Sequence, residues 1–304
     1  MSYKFNPRSV QEELAAKEIR PSKALGQNFV CDKNTVDKIV SLSGLNKDSQ
    51  VIEIGPGLGA LTFALADASF RVLAVEKDPR LAESLAKTAP PSVKVLARDA
   101  LEVDWDSLCA MSWSDIDLLP FKEGKVKNGF VSAGNHAGQN DRSWVLVANL
   151  PYNIAAQLII SILEQTDRIT EMHVMVQKEV GARLSSKAGS KEYGISALKL
   201  SYFAEAKIVA KVSREIFFPK PNIDSVMIRV KRRSTEEIKT NFSEYKSIGY
   251  LAVKAFSQRR KMLRHSLKNV LSEEDYAAAS ISSSSRPEEL DINAWSRLAK
   301  CYNY

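Results

Sequence analysis

The chain has 304 residues, of which 44% are hydrophobic and 26% are charged, and its formal net charge is +7. This composition is typical of a globular protein with a sizeable core, and no apolar run approaches the roughly 20 residues that cross a bilayer. The first residues lack the apolar core of a secretory signal, and the three cysteines have neither metal-ligand nor redox spacing, so we expect a cytoplasmic protein with no membrane partner and no metal site.

The first predicted elements come before the first long strand. Residues 23–30 combine small, amide and aromatic side chains and are typical of an ordered loop. Asp32 can cap a helix in which Val36, Ile39 and Val40 repeat at helical spacing. Because this segment precedes the strand, it can fold over a ligand bound at the strand's end.

A glycine-rich turn follows the apolar run Val51–Ile54, with Gly55, Gly57 and Gly59 at every second position. The pattern predicts a strand, a tight turn and a helix. Such a turn lets a ligand approach the main chain, and the helix start presents free N–H groups. The third glycine comes one position too early for the dinucleotide fingerprint G-x-G-x-x-G. Taken alone, the loop is compatible with a structural turn, a dinucleotide site or an S-adenosylmethionine site.

Two further strand ends carry carboxylates. The run Arg71–Val75 is followed by Glu76, which can accept both hydroxyls of a ribose, and Val93–Ala97 is followed by Asp99. Alternating strands and helices predict a parallel sheet, in which ligands bind at the carboxyl ends of the strands. We therefore expect the glycine turn, Glu76 and Asp99 to share one cleft. Asp99 suits the amino group of an adenine; the alternative is that it caps a helix.

Residues 105–143 interrupt the alternation of strands and helices. Their glycines and asparagines predict a loop or flap that is longer than an ordinary connection. No function follows from this insertion.

A buried strand, Trp144–Ala148, then delivers the tetrapeptide Asn149–Tyr152 at its carboxyl end. This peptide suits methylation of the exocyclic amine of adenine, because the amine's lone pair is delocalised and the site must accept hydrogen bonds from the amino hydrogens. The side-chain carbonyl of Asn149 and the backbone carbonyl of Leu150 can do so, Pro151 fixes the turn, and Tyr152 can stack on the base. The structural alternative is a strand that simply ends in an Asn-X-Pro turn.

The remainder of the chain divides into strands and then helices. The alternating runs Lys207–Val212 and Ser225–Val230 predict a hairpin around a proline-containing loop, which brings the total to about seven strands. From about Ser234 the pattern is helical. We predict a catalytic domain over residues 1–233 and a helical domain over residues 234–304.

The helical segment carries a cluster of positive charge, since no acidic residue occurs between Tyr245 and Ser272. A cluster of one sign favours a polyanionic partner such as a phosphate backbone, although a solvated helix face is the alternative. The predicted nucleic-acid contacts are Lys254, Arg259, Arg260, Lys261, Arg264 and Lys268.

The chain resembles the ribosomal RNA adenine N6-dimethyltransferases, and among them those of the bacterial small subunit. The motifs that carry the resemblance follow one another along nearly the whole chain: Gly26–Val30, Glu53–Gly59, Glu76, Arg98–Ala100, Asn149–Asn153 and Phe217–Ser225. The resemblance implies an α/β fold, a Rossmann-like S-adenosylmethionine-dependent methyltransferase sheet of about seven mostly parallel strands with a small all-helical C-terminal domain.

The resemblance also implies roles for individual residues. Glu76 would hold the cofactor ribose and Asp99 its adenine. Asn149, Leu150, Pro151 and Tyr152 would receive the target adenine, with Phe217 as a further stacking residue. The implied S-adenosylmethionine-binding residues are Gln27, Asn28, Val30, Gly55, Gly57, Glu76, Lys77, Asp99, Ala100 and Asn149.

The expected function is S-adenosylmethionine-dependent N6,N6-dimethylation of two adjacent adenines in a 3′-terminal hairpin of small-subunit (16S) ribosomal RNA during ribosome biogenesis. The expected partner is the pre-30S particle, and the expected state is a monomer. Two alternatives stay open at this point. The chain could modify large-subunit RNA, as the erythromycin-resistance methyltransferases do, or it could be an assembly or transcription factor that binds RNA or DNA and keeps a vestigial cleft.

Overall fold

The computed structural model describes residues 5–22, 25–118, 143–234 and 242–302. The chain forms two compact units, Met1–Gly181 with Lys207–Lys231, and Ala182–Ala206 with Arg232–Tyr304. This division differs from the predicted boundary at residue 233, because residues 182–206 group with the C-terminal helices. The rings of Tyr202 and Phe203 each lie 4.8 Å from the ring of Tyr245, which gives that grouping an aromatic core.

Within the described residues, seven strands form one sheet. The strands are β2 (Gln50–Ile54), β3 (Arg71–Glu76), β4 (Val93–Ala97), β5 (Trp144–Asn149), β6 (Ile169–Gln177), β7 (Ala204–Val212) and β9 (Ser225–Arg232). Their order in the sheet is β4-β3-β2-β5-β6-β9-β7. The pairs β2–β3, β2–β5, β3–β4 and β5–β6 are parallel, and β6–β9 is antiparallel. The predicted mostly parallel sheet is confirmed.

The central strands of the sheet are buried on both faces, and most of their side chains are apolar. Every residue of β2 is buried, and β3 is buried from Val72 to Glu76. The strand order reverses at β2, since the chain runs outward through β3 and β4 on one side and returns through β5 on the other. In open α/β sheets, ligands bind at such a switch point, outside the carboxyl ends of the strands.

A two-stranded antiparallel ribbon joins distant parts of the first unit. It pairs β1 (Phe29–Val30) with β8 (Phe217–Phe218), and Cys31 donates its N–H to the Ile216 carbonyl. The ribbon ties the segment before the first long strand to the proline-containing loop near β9.

Some of the helices up to residue 184 begin at aspartate caps, and Asp32 is a cap that the sequence predicts. Asp32 accepts the N–H of Thr35, and Asp78 accepts the N–H of Arg80. The bounds are α1 (Pro7–Ala16), α2 (Lys33–Leu42), α3 (Ala60–Ala68), α4 (Pro79–Thr88), α5 (Trp105–Ala110), α6 (Ala155–Gln165) and α7 (Lys178–Leu184).

The prediction of an irregular loop is wrong for residues 105–118. They form α5 and a short 3-10 helix, Asp115–Leu118. Trp105 is fully buried and donates its indole N–H to the Ala100 carbonyl, so this segment is anchored to the end of β4. Residues 119–142 of the predicted insertion lie outside the described residues.

The second unit contains helices and short turns. Their bounds are α8 (Ile195–Phe203), α9 (Phe242–Phe256), α10 (Leu263–Ser266), α11 (Glu273–Ala278) and α12 (Ile292–Cys301), with a 3-10 helix at Pro287–Glu289. Over the described ranges, no helix is both long enough and apolar enough to cross a membrane.

Candidate active site

Four strand ends of the first unit line one cavity, as the sequence predicts for a parallel sheet. The cavity encloses about 1010 Å³, counting the open space at its mouth. Its walls include Gly55 and Gly57 after β2, Glu76 and Lys77 at β3, Asp99 and Ala100 after β4, and Asn149 and Pro151 at β5. The segment before β2 contributes Gln27, Asn28 and Val30. All ten predicted cofactor-binding residues therefore line this one cavity.

The glycine turn has a backbone that side chains would disturb. Gly57 has φ of +59°, and a Cβ built on it would lie 3.0 Å from the ring of Phe29. Gly59 has φ of +88° and directly precedes α3. The turn therefore presents bare main chain and a helix start to the cavity, which suits a ligand with polar groups along its length.

Glu76 is fixed by two backbone donors. One carboxylate oxygen accepts the N–H of Gly57 at 3.0 Å, and the other accepts the N–H of Asp78 at 2.9 Å. The residue is only 6% exposed, and burial raises the pKa of Glu76 although these donors oppose the shift. Each oxygen keeps a second lone pair, so the carboxyl group can still accept from two adjacent hydroxyls.

Asp99 closes a turn at the end of β4 and faces Lys77. Its carboxylate accepts the N–H of Leu101 at 3.0 Å and pairs with the Lys77 ammonium at 2.5 Å. Burial opposes ionisation, but the hydrogen bonds from Lys77 and Leu101 hold the pKa of Asp99 below its usual range. The cap of α5 is Asp104, so Asp99 does not cap that helix, and its position on the cavity wall agrees with a ligand contact.

Asn149 presents a free oxygen at the end of β5. Its Nδ2 donates to the backbone carbonyl of Asn28 at 2.9 Å, which fixes the orientation of the carboxamide. Its Oδ1 is buried and has no hydrogen-bond partner among the described residues. A buried unpaired acceptor costs about 1–3 kcal/mol, and a ligand that donates a hydrogen bond here removes that cost.

The rest of the tetrapeptide is held by the neighbouring strands. The N–H of Leu150 donates to the Met175 carbonyl at 3.1 Å, and Leu150 itself is buried. Pro151 lines the cavity. Tyr152 is half-buried, and its hydroxyl lies 2.7 Å from that of Ser225.

Comparisons with known proteins agree with this geometry. A family model described as ribosomal RNA adenine dimethylase matches residues 19–303. The chain belongs to the ribosomal RNA adenine dimethylase family. As a member of the family it is an rRNA adenine methyltransferase, and its cofactor is S-adenosylmethionine.

Individual known proteins are similar to this chain over most of their length. The chain is 37% identical to the ribosomal RNA small subunit methyltransferase A of Bifidobacterium adolescentis, over 93% of this chain and 88% of the relative. Its fold matches that of a dimethyladenosine transferase from Plasmodium falciparum, with a TM-score of 0.67, 20% identity and coverage of 89% and 95%. It also matches the 23S rRNA methyltransferase ErmE, with a TM-score of 0.60, 22% identity and coverage of 90% and 99%.

The cavity of this dimethylase-family chain fits S-adenosylmethionine on its own chemistry. A buried carboxylate, Glu76, suits ribose hydroxyls, and Asp99 suits an adenine amino group. The bare glycine turn follows β2 and donates the Gly57 N–H to Glu76 at the end of β3, so the turn and this carboxylate border the same part of the cavity. These residue roles stay predictions.

Phe217 does not lie where a stacking residue is needed. It is 3% exposed and packs in a core cluster with Val30, Met175 and Met227, because β8 pairs with β1 and turns the side chain inward. Tyr152, in contrast, is half-buried. A stacking role for Phe217 stays a prediction that requires its ring to leave the core.

The predicted RNA-binding residues of the second unit do not form one helical face. Lys254 lies on α9, whereas Arg264 lies on the four-residue helix α10, and turns separate the two. Arg259 is already engaged, because it pairs with the Glu288 carboxylate at 2.5 Å and donates to the Lys191 carbonyl at 2.6 Å. Four residues of the predicted set are exposed, namely Arg260, Lys261, Arg264 and Lys268.

Two residues of the site escaped prediction as individual functional residues. Glu53 is buried in β2 and lines the cavity; burial raises the pKa of Glu53 to about 8, and the neighbouring Glu76 carboxyl adds to the shift. The signal was a carboxylate inside an otherwise apolar strand. Gly26 has φ of +64°, and a Cβ there would lie 3.1 Å from Asn153 Oδ1 and 3.2 Å from Pro151. The sequence shows the glycine but not what it approaches.

Proposed function

We propose that the chain dimethylates N6 of two adjacent adenines in a 3′-terminal hairpin of small-subunit (16S) ribosomal RNA. The observation that carries this proposal is the buried, unpaired Oδ1 of Asn149 on the cavity wall. The relative from Bifidobacterium adolescentis, named for the small subunit, supports the choice of ribosomal RNA.

S-adenosylmethionine supplies an electrophilic methyl group on its sulfonium. Glu76, Asp99 and the glycine turn would bind the cofactor at the carboxyl ends of β2 to β4. Such binding leaves the end of β5, where Asn149 lies, for the second substrate. Alignment of two reactants in this way can contribute roughly 7–11 kcal/mol to lowering the barrier.

The tetrapeptide at the end of β5 acts on the adenine amine. Asn149 Oδ1 and the Leu150 carbonyl accept hydrogen bonds from the amino hydrogens, which draws the nitrogen lone pair out of the ring system. Pro151 restricts the backbone conformations of the turn because its φ is fixed near −65°. Tyr152 stacks on the base. No strong base is needed, since the amine releases its proton readily once it becomes cationic.

The adenine must leave its RNA stack to reach Asn149, at a cost of a few kcal/mol. We therefore propose that the substrate is a pre-30S particle whose RNA shape exposes the hairpin, and that the protein acts as a monomer in the cytoplasm. Four exposed cations of the second unit, Arg260, Lys261, Arg264 and Lys268, would contact phosphates.

The experiment is methyl transfer from labelled S-adenosylmethionine to small subunits purified from cells that lack this modification. Mass spectrometry of the digested RNA should show N6,N6-dimethyladenosine at two adjacent positions, and Asn149→Ala should remove it. Label in large-subunit RNA alone would assign the chain to the other substrate class. Retained RNA binding with no label in either subunit would contradict the enzyme assignment and favour a scaffold role.

A further inference from the structure

A hydrogen bond joins the tetrapeptide to β9, the strand that runs antiparallel to β6. The hydroxyl groups of Tyr152 and Ser225 lie 2.7 Å apart. Ser225 is 1% exposed and is the first residue of β9. Its hydroxyl therefore has no access to water and is committed to this contact.

The sheet fixes Ser225 independently of the site. β9 pairs with β6 at seven successive positions, from Gln177 opposite Ser225 to Glu171 opposite Lys231. The N–H of Lys178 also donates to the Asp224 carbonyl at 3.0 Å, just beyond that ladder. The position of the Ser225 hydroxyl is thus set by a paired strand, in which the backbone is more rigid than in a loop.

Tyr152, in contrast, lies in the turn between β5 and α6. Two torsion angles set the direction of its ring, and a hydrogen bond at the phenol tip restricts both. The ring is half-buried, whereas Phe217 is held in the core. Of the predicted stacking pair, Tyr152 is therefore the residue whose ring is not enclosed in the core in this conformation.

We propose that Ser225 is a positioning residue, which holds the Tyr152 ring at the angle needed to stack on the everted adenine. The inference rests on the proposed function, and it goes beyond it by giving a role to a buried hydroxyl outside the cavity wall. Burial also raises the pKa of Tyr152, although the bond to Ser225 opposes the shift. The phenol therefore stays neutral and can donate to Ser225.

The test compares Ser225→Ala, Tyr152→Phe and the double variant in the small-subunit assay. A neutral hydrogen bond contributes about 0.5–1.5 kcal/mol, so each single variant should lose roughly two- to twelvefold in kcat/KM. The double variant should lose no more than either single one, because both remove the same bond. Ser225→Thr, which keeps the hydroxyl, should restore most of the activity.

A second readout separates positioning from folding. The ratio of N6-methyladenosine to N6,N6-dimethyladenosine should rise in Ser225→Ala and Tyr152→Phe alike, because a loosened base is released before its second methyl transfer. The control is Ser43→Ala, which removes another buried hydroxyl, bonded to the Ile39 carbonyl at 2.8 Å. It should lower the melting temperature without changing the product ratio.

Additive losses in the double variant, or an unchanged product ratio in Ser225→Ala, would overturn the inference. If Ser225→Ala does not fold, Tyr152→Phe decides alone, and wild-type kinetics there would contradict it. A wild-type protein that transfers no methyl group to small subunits would instead contradict the proposed function.

Discussion

The side-chain Nδ2 of Asn149 lies 2.9 Å from the backbone oxygen of Asn28, 121 residues earlier in the chain. Because a carbonyl accepts only from a donor, this contact requires the amide nitrogen to face Asn28 and the Oδ1 to face away. The orientation of the predicted acceptor is thus set by a loop that precedes the first long strand. The methylation chemistry depends on this contact as much as on the strand that carries Asn149.

Replacing Asn149 by aspartate should nearly abolish methyl transfer, although the side chain keeps its size. A carboxylate cannot donate to the Asn28 carbonyl, and it would place negative charge against that oxygen. Loss of one preorganised polar group at a reacting centre costs roughly 100- to 1,000-fold in kcat. Single-turnover rates at saturating S-adenosylmethionine should show this loss, because saturation removes any change in cofactor affinity, which Asn149 is also predicted to affect. A kcat within twofold of wild type would contradict the role of Asn149.

Glu76→Gln should weaken cofactor binding. Both carboxylate oxygens accept backbone N–H groups, from Gly57 and Asp78, whereas a glutamine offers a single oxygen. Hydrogen bonds to charged groups contribute about 1.5–3 kcal/mol, so the Kd for S-adenosylmethionine should rise roughly 10- to 150-fold in calorimetry. The matched control is Glu83→Gln, on the exposed side of α4, which should leave Kd unchanged. Equal Kd values for both variants and the wild type would rule out Glu76 as a cofactor ligand.

Stability in the absence of cofactor should fall as the pH rises. Burial raises the pKa of Glu53 from its ordinary value of 4.5 to about 8 in the folded chain, so between these values the folded state binds more protons than the unfolded state. The contribution of Glu53 to the free energy of unfolding is then most favourable below pH 4.5 and decreases up to about pH 8. Glu53→Gln should flatten this decline in urea unfolding curves. Some slope should persist, because burial raises the pKa of Glu76 in the same direction. If the free energy of unfolding changes with pH in the same way in both proteins, Glu53 is not the source of the pH dependence.

The exposed cations of the second unit should govern the salt dependence of RNA binding. Changing Arg260, Lys261, Arg264 and Lys268 to alanine should lower the affinity for small-subunit RNA. It should also reduce the slope of log K against log salt by about 0.7–0.9 for each phosphate that the variant no longer neutralises. The control changes four exposed lysines of the first unit, Lys33, Lys38, Lys47 and Lys87, which alters the net charge equally. Identical slopes in the two variants would show that only net charge matters.

Apolar runs made the sheet predictable, because a strand buried on both faces must be apolar throughout, as β2 and β3 largely are. The shared cleft followed from the rule that parallel strands end at one edge. Contacts between distant residues were not predictable in this way. Arg259 belongs to a basic run in the sequence, but Glu288, 29 residues later, neutralises it in the fold.

The position of Phe217 shows the same limit. The resemblance implies a stacking role for Phe217, yet pairing between β1 and β8 turns its ring into the core. The loop prediction was wrong for residues 105–118 because the glycines and asparagines behind it all lie from residue 124 onwards, whereas Trp105 is buried against Ala100 at the start of α5.

A crystal structure of the protein with S-adenosylmethionine bound would show whether the cofactor lies beside Asn149. We predict the ribose hydroxyls within hydrogen-bond distance of Glu76 and the sulfonium methyl directed toward Asn149 Oδ1. A cofactor bound away from the glycine turn, or one whose methyl group faces away from Asn149, would contradict the proposed site.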